Sequence, residues 1–515
     1  MSDAMITAWL YEPRAEAGLH FLEDDGSWRH IAYDDLAGRV WAMAELLADR
    51  GLNGERLGLV AATGEDFIVQ AFATIASGGT CVPVPDLLPG QDEASHRGQV
   101  EHILATARPA AVLRTPGSPA VEGWTTVPVP ASDTLSAGDA RVLRPSSAPV
   151  AIQFTTGSSG PSKGVRVSRH ALGAGLRSCL GVMGISSEDR IASWLPWWHL
   201  GNIVPPAMAQ CDLLLMTPLQ FLQTPETWMC CFGQLGCTVT FSPSFGYLHV
   251  LNAVTPEALA DCRFDGWRVA VVATEPPRAG DLDAFASAFA PLGFRREALC
   301  PTYGLTETTL VATLTPPGRG PVVRPGDSGP SALVGSGRPV PGCRVAIRLP
   351  DCTDAPDGVA GEVFVGGDNL ADGYEPGPDF GDWVATGDAG CMYDGELFVI
   401  GRTSDSFQFR GERFHAADAE IMIQARIPGV TAVAVVPSRV DGAGITVVAE
   451  SSEEWASPRA EEAAQAVSDL FGGIEVELLV VDPGGIPRTA GGKVQRRECF
   501  ARYVGGGRPD LSPVS

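Results

Sequence analysis

The sequence predicts an α/β protein, with doubly wound sheets and a β-rich lobe in a large N-terminal part and a small α+β domain at the C-terminus. Three observations carry this. Strand-like and helix-like apolar patterns alternate through the first part, as in parallel sheets covered on both faces. The chain, at 515 residues, is too long for a single hydrophobic core. After about residue 402 the pattern shifts to short strands grouped with a helix.

Leu36, Val40, Met43 and Leu47 recur at helical spacing, and Gly51 stops that helix. Leu57-Gly-Leu-Val-Ala61 then reads as a buried strand. Phe67, Ala71 and Ile75 predict a second helix before Gly78-Gly79, and Cys81-Val-Pro-Val84 a short strand. Residues 114–149 are rich in Pro, Ser and Gly and are expected to be irregular, as is Thr315–Pro330. Asp394–Ile400 reads as a hairpin strand. Further on, Val433–Val436 and Ile445–Val448 are strand candidates. Ser457-Pro458 starts a helix, with serine as cap and proline in the first turn, and Val467, Leu470 and Phe471 give part of its apolar face. Ile474, Val476, Leu478 and Val480 alternate as in a half-buried strand. From Gly505 onward the chain has little to bury, so residues 505–515 are expected to be a disordered tail. No internal repeat is visible.

A charged fraction of 19% and a hydrophobic fraction of 45% are ordinary for a globular protein. The net charge of −24 argues against a nucleic-acid partner, which needs a basic surface to displace counterions, and against docking on an anionic membrane. There is no basic, apolar leader at Met1 and no apolar run long enough to span a bilayer. The 12 cysteines form no C-x-x-C pair and read as reduced, buried thiols, which points to the cytoplasm.

Two glycine-flanked lysine loops stand out. In Phe154-Thr-Thr-Gly-Ser-Ser-Gly-Pro-Ser-Lys163-Gly164, glycines 157, 160 and 164 let backbone approach a ligand closely. Thr155, Thr156, Ser158 and Ser159 offer hydroxyls, and the N–H groups between them can line an anion site. No Lys-Ser or Lys-Thr follows a glycine at the spacing of a Walker A loop. Alone, such a stretch is more often a solvated turn. The second loop, Pro487-Arg-Thr-Ala-Gly-Gly-Lys493-Val-Gln-Arg-Arg497, puts a lysine beside two glycines and ahead of a basic cluster.

These loops, together with Pro301-Thr-Tyr-Gly-Leu-Thr-Glu307, Trp383-Val-Ala-Thr-Gly-Asp388, Gly401-Arg402 and Trp194-Leu-Pro-Trp-Trp-His199, resemble the adenylate-forming superfamily. Its members include acyl-CoA synthetases, fatty acyl-AMP ligases, peptide-synthetase adenylation domains and luciferases. The resemblance covers nearly the whole chain and implies that ATP, with Mg²⁺, activates a carboxylate as its adenylate. It implies a large domain over 1–401, a hinge over 402–405 at Ser404 and Asp405, and a mobile domain over 406–504 that carries Lys493. Thr155, Thr156, Gly157, Ser158, Ser159, Gly160 and Lys163 would close over the β- and γ-phosphates. Thr274, Glu275, Pro276 and Gly304 would join the nucleotide site, with Tyr303 stacking on adenine, and Asp388 and Arg402 holding the ribose. Thr306 would contact the α-phosphate, Glu307 would hold Mg²⁺, and Lys493 would act in adenylation. Lys163, Arg402 and Lys493 would concentrate the positive charge that ATP needs on so acidic a chain. Trp197, Trp198, His199, Phe245, Gly304 and Leu305 would border the acyl pocket. Three departures from the family pattern are Ser162 where a proline usually precedes the lysine, Asn202 where a glycine usually follows the histidine by three places, and Ser404 where many relatives have Asp or Lys.

Within the family, Ile152-Gln-Phe-Thr-Thr-Gly-Ser-Ser, Ser242-Pro-Ser-Phe-Gly-Tyr247, Glu275-Pro-Pro-Arg-Ala-Gly-Asp-Leu and Gly337-Arg-Pro-Val-Pro-Gly342 are most similar to fatty acyl-AMP ligases. Those ligases pass the acyl group to the phosphopantetheine arm of a carrier protein. They usually carry an insertion before the Gly-Arg-Pro element, and here that connection is short, which keeps CoA open as the acceptor. An amino-acid-activating domain is the nearest alternative, but no aspartate near the pocket motifs is evident to pair an ammonium. A Rossmann oxidoreductase lacks its G-x-G-x-x-G here. A non-catalytic nucleotide binder would not be expected to keep both Lys493 and Glu307.

Overall fold

The computed structural model describes residues 6–61, 64–87, 93–136, 144–155, 162–325, 332–409, 412–437, 444–453, 455, 457–471, 473–488 and 494–504. Two large sheets dominate it. The first has nine strands, in the order Arg338–Pro339, Thr313–Leu314, Leu299–Tyr303, Val269–Ala273, Val239–Pro243, Arg190–Ser193, Asp212–Leu215, Gly18–Leu22, Trp28–Ala32. Its six central strands are parallel, and antiparallel strands close both edges. The second has seven, in the order Gly373–Glu375, Gly164–Val167, Ala151–Phe154, Thr80–Pro83, Arg56–Val60, Ala111–Arg114, Thr126–Pro128.

Strand alternation splits the core of the first sheet in two. Ile191, Leu213, Leu215, Val269 and Val271 face the cluster shared with the second sheet. Ala192, Leu214, Ala270 and Val272 face an aromatic cluster on the other side. A strand buried on both faces reads as a continuous apolar run, which is why these segments lack polar alternation. Helices Tyr33–Asp49, Gly64–Ala76, Arg169–Met183 and Leu200–Ala209 contribute to the shared cluster. Every residue of Gly64–Ala76 is buried, as expected for a helix enclosed by other layers. In the aromatic cluster Trp267 stacks on Phe232 (centroids 3.7 Å apart, planes at 6°) and meets Trp228 edge-on at 5.6 Å.

A four-stranded antiparallel lobe follows: Cys343–Arg348, Gly361–Gly367, Val384–Tyr393, Glu396–Arg402. Its last hairpin turns at Asp394 and Gly395, both at left-handed φ (53° and 76°), the two-residue turn that Asp-Gly favours. The C-terminal part has a three-stranded sheet, Ala432–Pro437, Gly444–Glu450 and Glu475–Val481. One of its faces packs on helices Ala416–Arg426 and Ser457–Leu470; the other packs on Ile486, Cys499, Tyr503 and Val504.

The expected helices and buried strands occur where the apolar patterns place them. Two segments expected to be irregular contain structure. Thr126–Pro128 pairs with Ala111–Arg114, and Val323–Pro325 with Ala332–Val334. Both are three-residue pairings sustained by backbone bonds, which leave no apolar signature, and edge strands tolerate Pro128. Among the cysteines, Cys352 is exposed rather than buried and Cys230 is intermediate, because Cys352 sits in a turn with positive φ (66°) outside the sheets. Among the described residues no helix is long and apolar enough to cross a membrane. The tail 505–515 lies outside the described residues.

Candidate active site

The chain leaves strand Arg190–Ser193 and pairs its next strand, Asp212–Leu215, on one side; Val239–Pro243 later pairs on the other. Such a reversal opens a crevice at the carboxyl ends of the strands, where α/β sheets bind ligands. The segments that follow those ends are Trp194–His199, Ser244 and Phe245, Thr274–Pro276, and Gly304–Glu307.

The last of these turns sharply. Gly304 is exposed, and a Cβ there would lie 2.0 Å from the Leu310 carbonyl oxygen, so only glycine fits. A 3-10 turn, Thr306–Thr308, then buries Glu307, whose carbonyl oxygen accepts from Ala371 N at 2.8 Å. Thr309 follows at φ 61°, pinned through Asn369, whose Nδ2 donates to the carbonyls of Thr308 (3.2 Å) and Val311 (2.9 Å). Thr274, at the end of the neighbouring strand, also has positive φ (75°). β-branched residues avoid this region, and such strain gathers at functional sites.

Two tyrosine–carboxylate pairs face this turn. Tyr303 Oη donates to Asp388 Oδ2 at 2.6 Å, and Arg402 Nε lies 2.9 Å from Asp388 Oδ1. Asp388 and Arg402 are cross-strand partners, and Arg402 Nη1 is anchored on the Thr386 carbonyl at 2.8 Å. Tyr374 Oη donates to Glu307 Oε1 at 2.8 Å. Burial raises both phenol pKa values, and the adjoining carboxylate raises each further, so both tyrosines remain donors at neutral pH. Lys163 Nζ stands 4.6 Å from the Tyr374 ring centroid. Strand pairing explains this meeting: Gly373–Glu375 lies antiparallel beside Gly164–Val167, with Glu375 opposite Gly164. Thr155 N donates to the Lys163 carbonyl at 2.9 Å, which continues the antiparallel pairing of Ala151–Phe154 with Gly164–Val167. Thr156, Gly157, Ser158, Ser159 and Gly160 lie outside the described residues, as does Lys493.

Of the residues expected to border an acyl pocket, Trp197 is half-buried against Gly64, where an added Cβ would come within 3.0 Å of the indole, while Trp198 is buried in the shared core. Phe245 and Leu305 are half-buried, and Phe245 stacks on His249 at 5.6 Å. His199 precedes helix Leu200–Ala209, and desolvation lowers its pKa to about 4, so the ring is neutral at pH 7. Asp405, at the expected hinge, accepts from Arg496 Nη1 at 2.8 Å. Arg496 also makes a two-pronged contact with Glu420 (Nε–Oε1 2.8 Å, Nη2–Oε2 2.7 Å).

The geometry thus gathers Lys163, Glu307, Tyr303, Asp388 and Arg402, and adds Tyr374 and Asn369, which sequence reasoning missed; Arg496, also missed, ties Asp405 to Glu420. Tyr374 sits in a three-residue strand without periodicity. Arg496 reads in sequence as part of an exposed basic cluster. The only signal for Tyr374 was an aromatic between Gly373 and Glu375, and it is weak.

Comparisons with known proteins bear on the chain as a whole. The model of the AMP-binding enzyme family, described as "AMP-binding enzyme", matches residues 12–375. A 4-hydroxyphenylalkanoate adenylyltransferase of Mycobacterium marinum is 27% identical, over 98% of this chain and 92% of its own. A long-chain-fatty-acid–AMP ligase, FadD26, of the same species is 25% identical, over 94% and 93%. In fold, the chain is similar to a structure from a study of fatty acyl-adenylate ligases from E. coli and L. pneumophila, with TM-score 0.86 at 24% identity and 98% of both chains covered.

Proposed function

This chain belongs to the AMP-binding enzyme family, and from that premise we propose that it activates a hydrophobic carboxylic acid with ATP as the acyl-AMP, releasing pyrophosphate, and then passes the acyl group to a phosphopantetheine thiol. It is an ATP-dependent acyl-adenylating ligase, and a carrier protein in the cytoplasm is the favoured acceptor, with CoA as the alternative. The observation that carries this reading is the pair of tyrosine-held carboxylates, Asp388 and Glu307, at the sheet ends beside Arg402 and Lys163.

In the reaction, a carboxylate oxygen of the acid attacks the α-phosphorus of ATP. The new O–P bond forms as the bond to pyrophosphate breaks, and pyrophosphate leaves with the electron pair. The attacking group is already an anion, so no general base is required, in keeping with a neutral His199. Asp388 accepts hydrogen bonds from the ribose hydroxyls, with Arg402 holding its other oxygen; Tyr303 packs on adenine. Thr306 contacts the α-phosphate, and Lys163 with the loop 155–160 engages the β- and γ-phosphates. Glu307 offers a buried oxygen donor oriented by Tyr374, which suits a hard cation such as Mg²⁺. A cation held by Glu307 would supply positive charge to offset what gathers on the leaving group. Lys493, on the domain beyond the proposed hinge at 402–405, enters for adenylation and withdraws for transfer.

Trp197, Phe245 and Leu305 give the acyl side an apolar character, and the relatives' names, long-chain fatty acid and 4-hydroxyphenylalkanoate, describe acids of that kind. The test is pyrophosphate exchange across a panel of carboxylic acids, followed by CoA and a phosphopantetheinylated carrier protein as acceptors. Exchange with at least one apolar acid, dependent on Mg²⁺, is expected, with the carrier protein acylated in preference to CoA. Failure across the panel with ATP binding intact would remove the reading, and fast CoA thioester formation would overturn the choice of acceptor.

A further inference from the structure

At the opposite edge of the nine-stranded sheet, three side chains converge that the adenylation site does not use. His20 lies opposite His30 in the edge hairpin, and their rings are 4.4 Å apart. His20 also lies opposite Leu214 on the next strand, so Asp212, two residues before Leu214, projects from the same face. One potential ligand atom from each of His20, His30 and Asp212 lies within 4.8 Å of the others. His20 Nε2 is buried and lies 3.2 Å from Asp212 Oδ1, so two of the three groups already face one another.

We propose that His20, His30 and Asp212 form a binding site for a divalent transition metal of the Zn²⁺ type, separate from the adenylation site. Two imidazole nitrogens and one carboxylate oxygen are a donor set for Zn²⁺, Co²⁺ or Ni²⁺ rather than for Mg²⁺ or Ca²⁺, and three protein ligands leave a position for water. The carboxylate is held in place from behind. Gly18 N donates to Oδ1 and Arg190 Nε to Oδ2, each at 3.0 Å, the outer-shell support that fixes a metal-binding carboxylate. Arg190 is also the nearest like charge, so it weakens the site electrostatically while it orients Asp212. His30 is exposed, which gives a metal ion a route in from solvent. Asp212 and Arg190 begin their parallel strands, so the cluster lies toward the amino ends, whereas the adenylation residues follow the carboxyl ends. A metal bound here would tie the edge hairpin to the parallel sheet.

The test uses the full-length, chelator-treated chain without ATP. Co²⁺ is titrated and followed by visible absorption, and Zn²⁺ by calorimetry and thermal melting, for the wild type, His30→Gln and Asp212→Asn. One ion per chain is expected, with ligand-field bands, no thiolate charge-transfer band and a raised melting temperature. His30→Gln, an exposed change, should weaken binding by more than about tenfold while leaving pyrophosphate exchange as in the wild type. Lack of binding by the wild type overturns the site. So does binding that persists in His30→Gln, or that carries a thiolate band and therefore belongs to the cysteines.

Discussion

Replacing Tyr374 by phenylalanine removes one oxygen and leaves the ring in place. That oxygen is the 2.8 Å donor to Glu307 Oε1, and Glu307 is buried. A hydrogen bond to a charged group contributes about 1.5–3 kcal/mol, equivalent to about 10- to 150-fold in rate if the bond orients Glu307 for the metal-assisted step. The cation–π contact with Lys163, centred 4.6 Å away, survives in the phenylalanine variant and is lost in Tyr374→Leu. The second change should cost about a further 0.5–2 kcal/mol. The assay is initial-rate pyrophosphate exchange over a series of Mg²⁺ concentrations, with melting temperatures measured alongside. Tyr374→Phe should need more Mg²⁺ for half-maximal rate, and its melting temperature should stay close to that of the wild type. A variant with the wild-type rate and Mg²⁺ dependence would refute the reasoning.

Asp388→Asn keeps the shape but weakens the acceptor for ribose, so KM for ATP should rise about 10- to 100-fold in steady-state kinetics, while KM for the acid changes little. Lys493→Ala should lower pyrophosphate exchange by about 10²–10³-fold while sparing transfer from supplied acyl-AMP, and equal loss in both half-reactions would contradict a role confined to adenylation. His199 should make stability depend on pH. Its folded pKa of about 4 is below the unfolded value of 6.5, so the unfolded chain binds the extra proton. This contribution to stability is complete above pH 6.5 and falls as the pH drops towards 4, and melting curves of His199→Gln should show a shallower slope across that window. Trp267→Ala should destabilise the fold by about 3–5 kcal/mol, read from denaturant midpoints, because it removes a fully buried ring that stacks on Phe232.

What could be read from sequence followed a physical division. Leu57–Ala61, Cys81–Val84 and Ile445–Val448 announced themselves because burial on both faces demands runs that are almost wholly apolar. Thr126–Pro128 and Val323–Pro325 did not, since backbone pairing alone places no demand on side chains. In the site, Tyr303, Glu307, Asp388 and Arg402 were legible because each lies in a short motif whose chemistry is local. Tyr374 was not: its meaning comes from pairing with a strand 208 residues earlier, where Arg166 Nη1 reaches the Tyr374 carbonyl. Arg496 is a similar case. Only the fold turns a member of a basic run into a half-buried partner of Glu420 and Asp405. His20, His30 and Asp212 likewise become neighbours only through strand register.

The strand Gly373–Glu375 also bears on how the protein is made. It forms the outer strand of a sheet whose other six strands lie between residues 56 and 167. At a synthesis rate of about 5–20 residues per second, a ribosome takes about 10–40 s to add the intervening chain. During that interval Gly164–Val167 is an open edge with unpaired backbone groups, able to recruit a strand from another chain. The first sheet waits in the same way, because Gly18–Leu22 is bridged to the other parallel strands only once Asp212–Leu215 has been made. The residues proposed to hold ATP are therefore assembled late, and a nascent chain lacks that proposed site before Arg402 is in place.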